Sequence, residues 1–258
     1  MPPTAQWFNL LRHFALRDFR QRWLGSFSGG LWAIVQPLLL LGIYAVVFVQ
    51  VMKMPWPDSV GVGFVPFLAA GLWPWMAFAE GINRGIQAIP EHASLLAKVP
   101  LPREVLVLAP VATSFVVHGI GYGAALIALG AMGQPIQAAG APVALFGFIV
   151  LFAFAAGLAL LLAALNVFVR DLAQVVTQLL TLLFFLTPVF YARQMVPARL
   201  AQWLDWNPLA LLIDRVRAPL LAQDPAGSAI QALLIAAVAV ALGLWVFRRL
   251  SRHFEDFL

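Results

Sequence analysis

Residues 31–52 read LWAIVQPLLLLGIYAVVFVQVM, a run without a single charged side chain. A helix rises 1.5 Å per residue, so about 20 apolar residues cover the ~30 Å hydrocarbon core of a bilayer. The stretch therefore predicts a transmembrane helix and sets the scale for the rest. Further spans are expected at about 62–83, 105–132, 143–167, 173–191 and 230–247. The fold predicted is all-α and membrane-integral, with six transmembrane helices preceded by a separate segment at 1–30.

Composition points the same way. The chain has 258 residues, 62% hydrophobic and 10% charged, with a mean hydropathy of +0.90. Soluble domains carry about 45–50% apolar and roughly 25% charged residues. A cleaved signal peptide is not expected, because some thirty mixed residues precede the first apolar run. With no cysteine, disulfides, thiolate metal sites and cysteine nucleophiles are excluded.

Lys and Arg flanking a span stay on the cytoplasmic side. Placing both termini there puts Arg12, Arg17, Arg20, Arg22, Arg84, Lys98, Arg103, Arg170, Arg248, Arg249 and Arg252 in the cytoplasm. The other side receives only Lys53, Arg193, Arg199, Arg215 and Arg217. The sequence pI of about 10.4 is this bias meeting anionic lipid, with no surface suited to nucleic acid.

Residues 5–24 read as an amphipathic interface helix. Trp7, Phe8, Leu11, Phe14, Ala15 and Phe19 share one arc, and His13, Arg17 and Arg20 the opposite one. Such a helix serves as a membrane anchor or as a lever touching a cytoplasmic partner. Ser26 to Gly30 then breaks it before the first span. The connection from about 83 to 104 carries Glu91, His92, Lys98, Arg103 and Glu104, with Pro90, Pro100 and Pro102 as helix stops. It predicts a short helical piece that is either a docking site for a soluble subunit or an ordinary polar loop. Residues 166–171 form a tight turn whose Arg170-Asp171 pair settles two spans at the interface. On the outer side Thr187-Pro188 bends or ends the fifth span. Residues 195–222 then form two short apolar pieces split at Trp206-Asn207-Pro208, read as re-entrant helices or as an interfacial loop, with Trp203 and Trp206 at headgroup level.

No catalytic set emerges. A phosphate-cradling loop requires Gly-x-x-x-x-Gly-Lys-Ser/Thr, and neither Lys53 nor Lys98 stands in that context. His13, His92, His118 and His253 lack the spacing of a zinc site. His118 lies within a span and is read as a neutral imidazole bonded to a neighbouring helix, although an ionisable group there is also a functional candidate. Glu80 and Arg84 are spaced for an intrahelical pair near the cytoplasmic interface. With no acid at a span centre, proton coupling is disfavoured. Trp73 and Trp75, and the late aromatics Phe184, Phe185, Phe190 and Tyr191, are either packed or offer ring faces to sugars.

Four passages carry a resemblance: LWAIVQP at 31–37, KVPLPREV at 98–105, LNVFVRD at 165–171, and TPVFY at 187–191 leading to WNPL at 206–209. In order and spacing the chain resembles the membrane subunits of type-2 ABC exporters for bacterial surface polysaccharide. The ending from FRRL at 247–250 is similar to the O-antigen branch, with teichoic acid and capsule exporters as relatives. That resemblance implies an inner-membrane permease domain over 31–258, working as a homodimer with two copies of a separate ABC ATPase. ATP and Mg²⁺ would be held by the partner, and this chain would bind no cofactor or metal. The cargo implied is a lipid-linked polysaccharide. Coupling candidates are then Arg17, Arg20, Glu91, His92, Lys98, Arg103 and Glu104. Path candidates are Trp73, Trp75, Phe185 and Tyr191, and gate candidates in the re-entrant region are Trp203, Trp206, Asn207 and Pro208. Rival readings are a capsule exporter, a permease of the same fold moving a small drug or lipid, and a partnerless enzyme or channel.

Overall fold

The computed structural model describes residues 4–23, 29–96, 98 and 101–257. Every regular element among them is helical. The longer ones, in order, are α1 (Thr4–Trp23), α2 (Gly29–Ala45) running on as the π-helical Val46–Val51, α3 (Phe64–Glu91), the single turn α4 (Ala93–Leu96), α5 (Arg103–Ala131), α6 (Ala141–Asn166) led by the 3-10 turn Ala138–Gly140, α7 (Leu172–Leu186), α8 (Ala198–Trp206), α9 (Pro208–Arg217) and α10 (Ala229–Leu250) trailed by the 3-10 turn Ser251–Asp256. Of the break expected at Ser26 to Gly30, residues 26–28 lie outside the described residues, as do Val99 and Pro100, while Gly29 and Gly30 already form the first turn of α2.

Four of these helices are long and apolar enough to cross a membrane: α3, α5, α6 with its leading turn, and α10 with its trailing turn. Val35–Val51 and Leu172–Leu186, within the first and fifth expected spans, are apolar but shorter, so length and composition alone single out four of the six expected crossings. The fifth expected span, 173–191, ends at Leu186. Pro188 disfavours helical backbone at the residue before it, and Thr187 is extended at φ −105°, ψ 134°.

α3 is the axis of the bundle. Leu68, Leu72, Trp73, Phe78, Ile82 and Ile86 are all enclosed, and α5 and α6 flank it. Its length departs from expectation: it runs through Pro74 and on to Glu91, past the boundary expected near 83. Each proline lacks an N–H and leaves the carbonyl four residues earlier without its helical partner. Both orphans are answered from other helices. Tyr122 of α5 donates its hydroxyl to the Ala70 carbonyl at 2.9 Å, opposite Pro74. Asn166 of α6 donates its amide to the Ile86 carbonyl at 3.0 Å, opposite Pro90. Asn166 also accepts from the Ala173 N–H at 3.1 Å, so one side chain joins the ends of α3, α6 and α7. Leaving such a buried carbonyl unanswered costs about 1–3 kcal/mol.

α6 and α10 meet backbone to backbone. A Cβ built on Gly157 collides with the Ala239 carbonyl, and one on Gly243 collides with the Gly157 carbonyl. Small residues let helices approach this closely in lipid, where van der Waals packing drives association. The opposite face of α10 exposes Ile230, Leu233, Leu234, Val238, Leu242 and Trp245, an apolar strip that suits acyl chains and not water.

Candidate functional site

Three groups of side chains stand out against this apolar bundle. The first lies where α1 rests along α5 and the second half of α3. Glu80 sits on α3 with its side chain about one quarter exposed. The Arg22 guanidinium pairs with it, Nη2 donating to Oε2 at 2.9 Å and Nη1 lying 2.7 Å from Oε1, a charge-assisted contact. His118 of α5 lies 2.6 Å from the same carboxylate through Nε2, and the Ser114 hydroxyl donates to it at 3.2 Å. One turn further along α3, Arg84 pairs with Asp18 of α1 at 2.5 Å. The Thr113 hydroxyl donates to the Ala15 carbonyl at 3.2 Å. Two carboxylates and two guanidiniums balance in charge, and the His118 ring and Ser114 hydroxyl complete the set.

Glu80, Arg84 and His118 were each visible in the sequence, Glu80 and Arg84 as an intrahelical pair. Their actual separation is 4.0 Å, while each makes a shorter pair with α1. Arg22 counts in the sequence only toward the cytoplasmic basic bias, and Asp18 carries no reading there. Asp18 is the only acid in α1, and a lone acid among arginines was the available signal.

The expected coupling residues divide. Arg17, Arg20, Glu91 and Lys98 are exposed around this end, and His92 holds the Ala88 carbonyl through Nδ1 at 2.9 Å, finishing α3. Arg103 and Glu104 instead turn to the end of α10. Arg103 donates to the Ser251 carbonyl and lies 5.8 Å from the Phe254 ring. Glu104 pairs with Arg248 at 3.4 Å.

The second group is a string of rings. Tyr44 of α2 stacks on Phe184 of α7 at 6.2 Å. Phe48, within the π-helical turn, stacks on Phe190 at 5.5 Å. Phe190 reaches Phe184, Phe185 and Tyr191 at 5.5, 5.6 and 5.2 Å. Trp75 joins through Phe184 at 5.5 Å. π-Helical turns concentrate at functional positions, and this one places Phe48 in the string. Phe185 is 57% exposed, Trp75 only 6%. Trp73, expected on a substrate path, is fully enclosed; it sits on the core side of the Pro74 turn and offers a substrate no surface.

The third group caps the end of the bundle away from α1. Asn207 accepts from the Leu209 N–H at 3.0 Å and so starts α9, with Pro208 suited to the first helical position. Its amide donates to the Leu186 carbonyl at 3.2 Å and to the Thr187 hydroxyl at 3.0 Å, holding the end of α7. Arg217 of α9 is buried over the Phe67 ring at 3.9 Å. It donates to the Pro188 carbonyl at 2.6 Å and pairs with Asp214 at 2.7 Å. Trp203 and Trp206 on α8 are 72% and 85% exposed. On this face Arg193 pairs with Asp205 at 2.6 Å, and the guanidinium holds the Asp205 carboxyl below its ordinary range.

Among the described residues an all-helical bundle with four helices long and apolar enough to cross a membrane is the architecture of a multi-pass membrane protein. The chain matches the ABC-2 type transporter family over residues 9–221 and belongs to it. It is 34% identical to the O-antigen export system permease protein RfbA of Myxococcus xanthus, over 93% of this chain and 90% of that one. It is 28% identical to the protein of the same name from Klebsiella pneumoniae, over 97% and 95%. The polysialic acid transport protein KpsM of Escherichia coli is 25% identical over 78% and 77%.

Proposed function

We propose that this chain is the membrane subunit of an exporter carrying lipid-linked polysaccharide of the O-antigen kind from cytoplasm to periplasm. ATP hydrolysis on a separate subunit drives it, with the nucleotide and Mg²⁺ held there. The observation that supports this most is the near-full-length similarity to permeases named for O-antigen export. The functional unit is a homodimer with two ATPase copies in the bacterial inner membrane, both termini cytoplasmic. α2 and α7 serve as the first and fifth of six crossings, and α8 and α9 dip into the outer leaflet as a re-entrant pair. Asn207 and Pro208 set the bend between them, with Trp203 and Trp206 at headgroup level.

In this reading α1 is both anchor and lever. Its exposed Arg17 and Arg20, with Glu91, His92 and Lys98, face the ATPase. Arg103 and Glu104 brace the same end from within. Movement of α1 passes to α3 and α5 through the Glu80 and Arg84 contacts. The path runs beside the ring string, where Phe185 and Tyr191 offer faces to the sugar while Trp75 backs them. Rings guide a polymer without binding it tightly, which suits a chain that slides.

Deletion of the gene tests this reading. Surface glycan is expected to vanish, with lipid-linked glycan accumulating inside, and to return with a plasmid copy. Intact surface glycan together with new sensitivity to hydrophobic drugs would favour the permease of small drugs or lipids instead.

A further inference from the structure

Of the two short helices at the end of the bundle away from α1, α9 is built into it and α8 is barely attached. All of α9 except Pro208 and Asp214 is buried. A Cβ on Gly147 of α6 would collide with the Arg215 carbonyl, and one on Gly140 with the Pro219 carbonyl. α9 and the turn after it therefore lie backbone to backbone on α6, where small residues allow the closest helix packing. Polar ties fix the same element along its length. Asp214 accepts from the Ala226 N–H at 2.7 Å, and Arg215 donates to the Gly227 carbonyl at 2.6 Å. The Leu220 carbonyl accepts from the Gln137 N–H at 2.8 Å.

α8 is the contrast. Among its described residues only Leu204 is buried, at 9% exposure. Among the described residues one side-chain tie joins α8 to the rest, the Arg193–Asp205 ion pair at 2.6 Å, with both partners about half exposed. Ala192 beside Arg193 is enclosed with Val60, Phe67 and Leu221, so the pair joins a fixed point to a loose helix. Beneath α8 lies a cavity of about 500 Å³, to whose wall it contributes Leu204 and Asp205. The helix spans a space instead of packing on a floor. Elements with few buried contacts open at the least cost, and hinges lie where a few element-terminal residues absorb the change in backbone angles. Here that place is Asn207, extended at φ −81° and ψ 106°, whose side chain grips α7 and α9 and not α8.

We propose that only α8 of the re-entrant pair moves: it is a strap over the outer end of the path, hinged beside Asn207 and held shut by Arg193–Asp205, while α9 stays fixed to α6. The role of the strap in releasing glycan rests on the exporter reading above.

The chain has no cysteine, so one introduced thiol reports one position. Leu204→Cys and Val216→Cys, each in the full chain with its ATPase in nanodiscs, are exposed to a polar maleimide. Leu204→Cys is expected to label slowly, and a few-fold faster when combined with Arg193→Ala. Exchanging the charges, Arg193→Asp with Asp205→Arg, is expected to restore the slow rate. Val216→Cys is expected to stay unlabelled in every background and to label once unfolded in SDS. Equal labelling of Leu204→Cys and Val216→Cys in the folded protein, or one Leu204→Cys rate in all backgrounds, overturns the strap. Bridging Arg193→Cys to Asp205→Cys with a short cleavable dithiol reagent is expected to stop glycan export in liposomes, and cleavage to restore it. Full export by the bridged protein also overturns the strap. If the labelling fails while gene deletion still abolishes surface glycan, the exporter reading stands without the strap. Normal surface glycan in the deletion strain sinks the exporter reading and leaves the labelling result in place.

Discussion

Gly243→Val is expected to leave little folded protein. The obstacle to a side chain at Gly243 is the carbonyl of Gly157 on α6, and the obstacle at Gly157 is the backbone of Ala239. A flexible side chain yields at small cost, but two helix backbones do not. The extra carbons therefore force α6 and α10 apart along their contact. Overpacking a tight interior costs about 1–3 kcal/mol, occasionally more, and this site belongs at or above the upper end. Fluorescence-detected size exclusion in mild detergent is expected to show loss of the folded peak for Gly243→Val. Gly123→Val on α5 is the control, because nothing lies within 4 Å of a Cβ there. Similar peaks for the two variants would show that the close approach of α6 and α10 carries no stability.

Glu80→Gln is the second large effect, and it is expected to fall on export more than on abundance. Glu80 receives Arg22, His118 and Ser114 from two other helices. The amide keeps the shape but removes the charge, and it turns an N–H₂ toward the donors of Arg22 or His118. Removing one partner of a fully buried ion pair costs ~3–5 kcal/mol. With Glu80 about one quarter exposed, solvent screening lowers this to about 2–3 kcal/mol. The loss is local to the attachment of α1, since α6 and α10 make no part of the network. Hydrogen exchange of the α1 amides is expected to rise while that of α10 stays unchanged, and surface glycan is expected to fall. Unchanged exchange in α1 would remove the latch from the account.

The apolar runs were legible because about 20 uncharged residues have few alternatives in water. The break at Thr187-Pro188 and the helical piece before Lys98 are legible for the same local reason, since proline restricts its neighbours, although the fifth span is expected to run on to 191 and α7 ends at Leu186. What local rules missed depends on distant partners. Pro90 reads as a helix stop, and α3 does end one residue beyond it at Glu91; what spacing does not show is that Asn166, far along the chain, answers the orphaned Ile86 carbonyl. Residues 166–171 read as a tight turn with an Arg-Asp pair, while the tie made by Asn166 depends on a helix whose extent was misjudged. Glu80 and Arg84 read as partners of each other through their spacing, but α1 supplies Arg22 and Asp18 at shorter range. Trp73 and Trp75 look alike two residues apart, and only packing separates the enclosed ring from the one touching Phe184. Periodicity places a residue on a helix face. It does not say which helix covers that face.

The most direct test is transport by the purified chain in liposomes, with and without its ABC ATPase, supplied with a fluorescent lipid-linked glycan on one side. Glycan is expected to appear on the far side only when the ATPase, ATP and Mg²⁺ are all present, and to stop when a non-hydrolysable analogue replaces ATP. Uphill glycan movement or ATP hydrolysis by the chain alone would contradict the account.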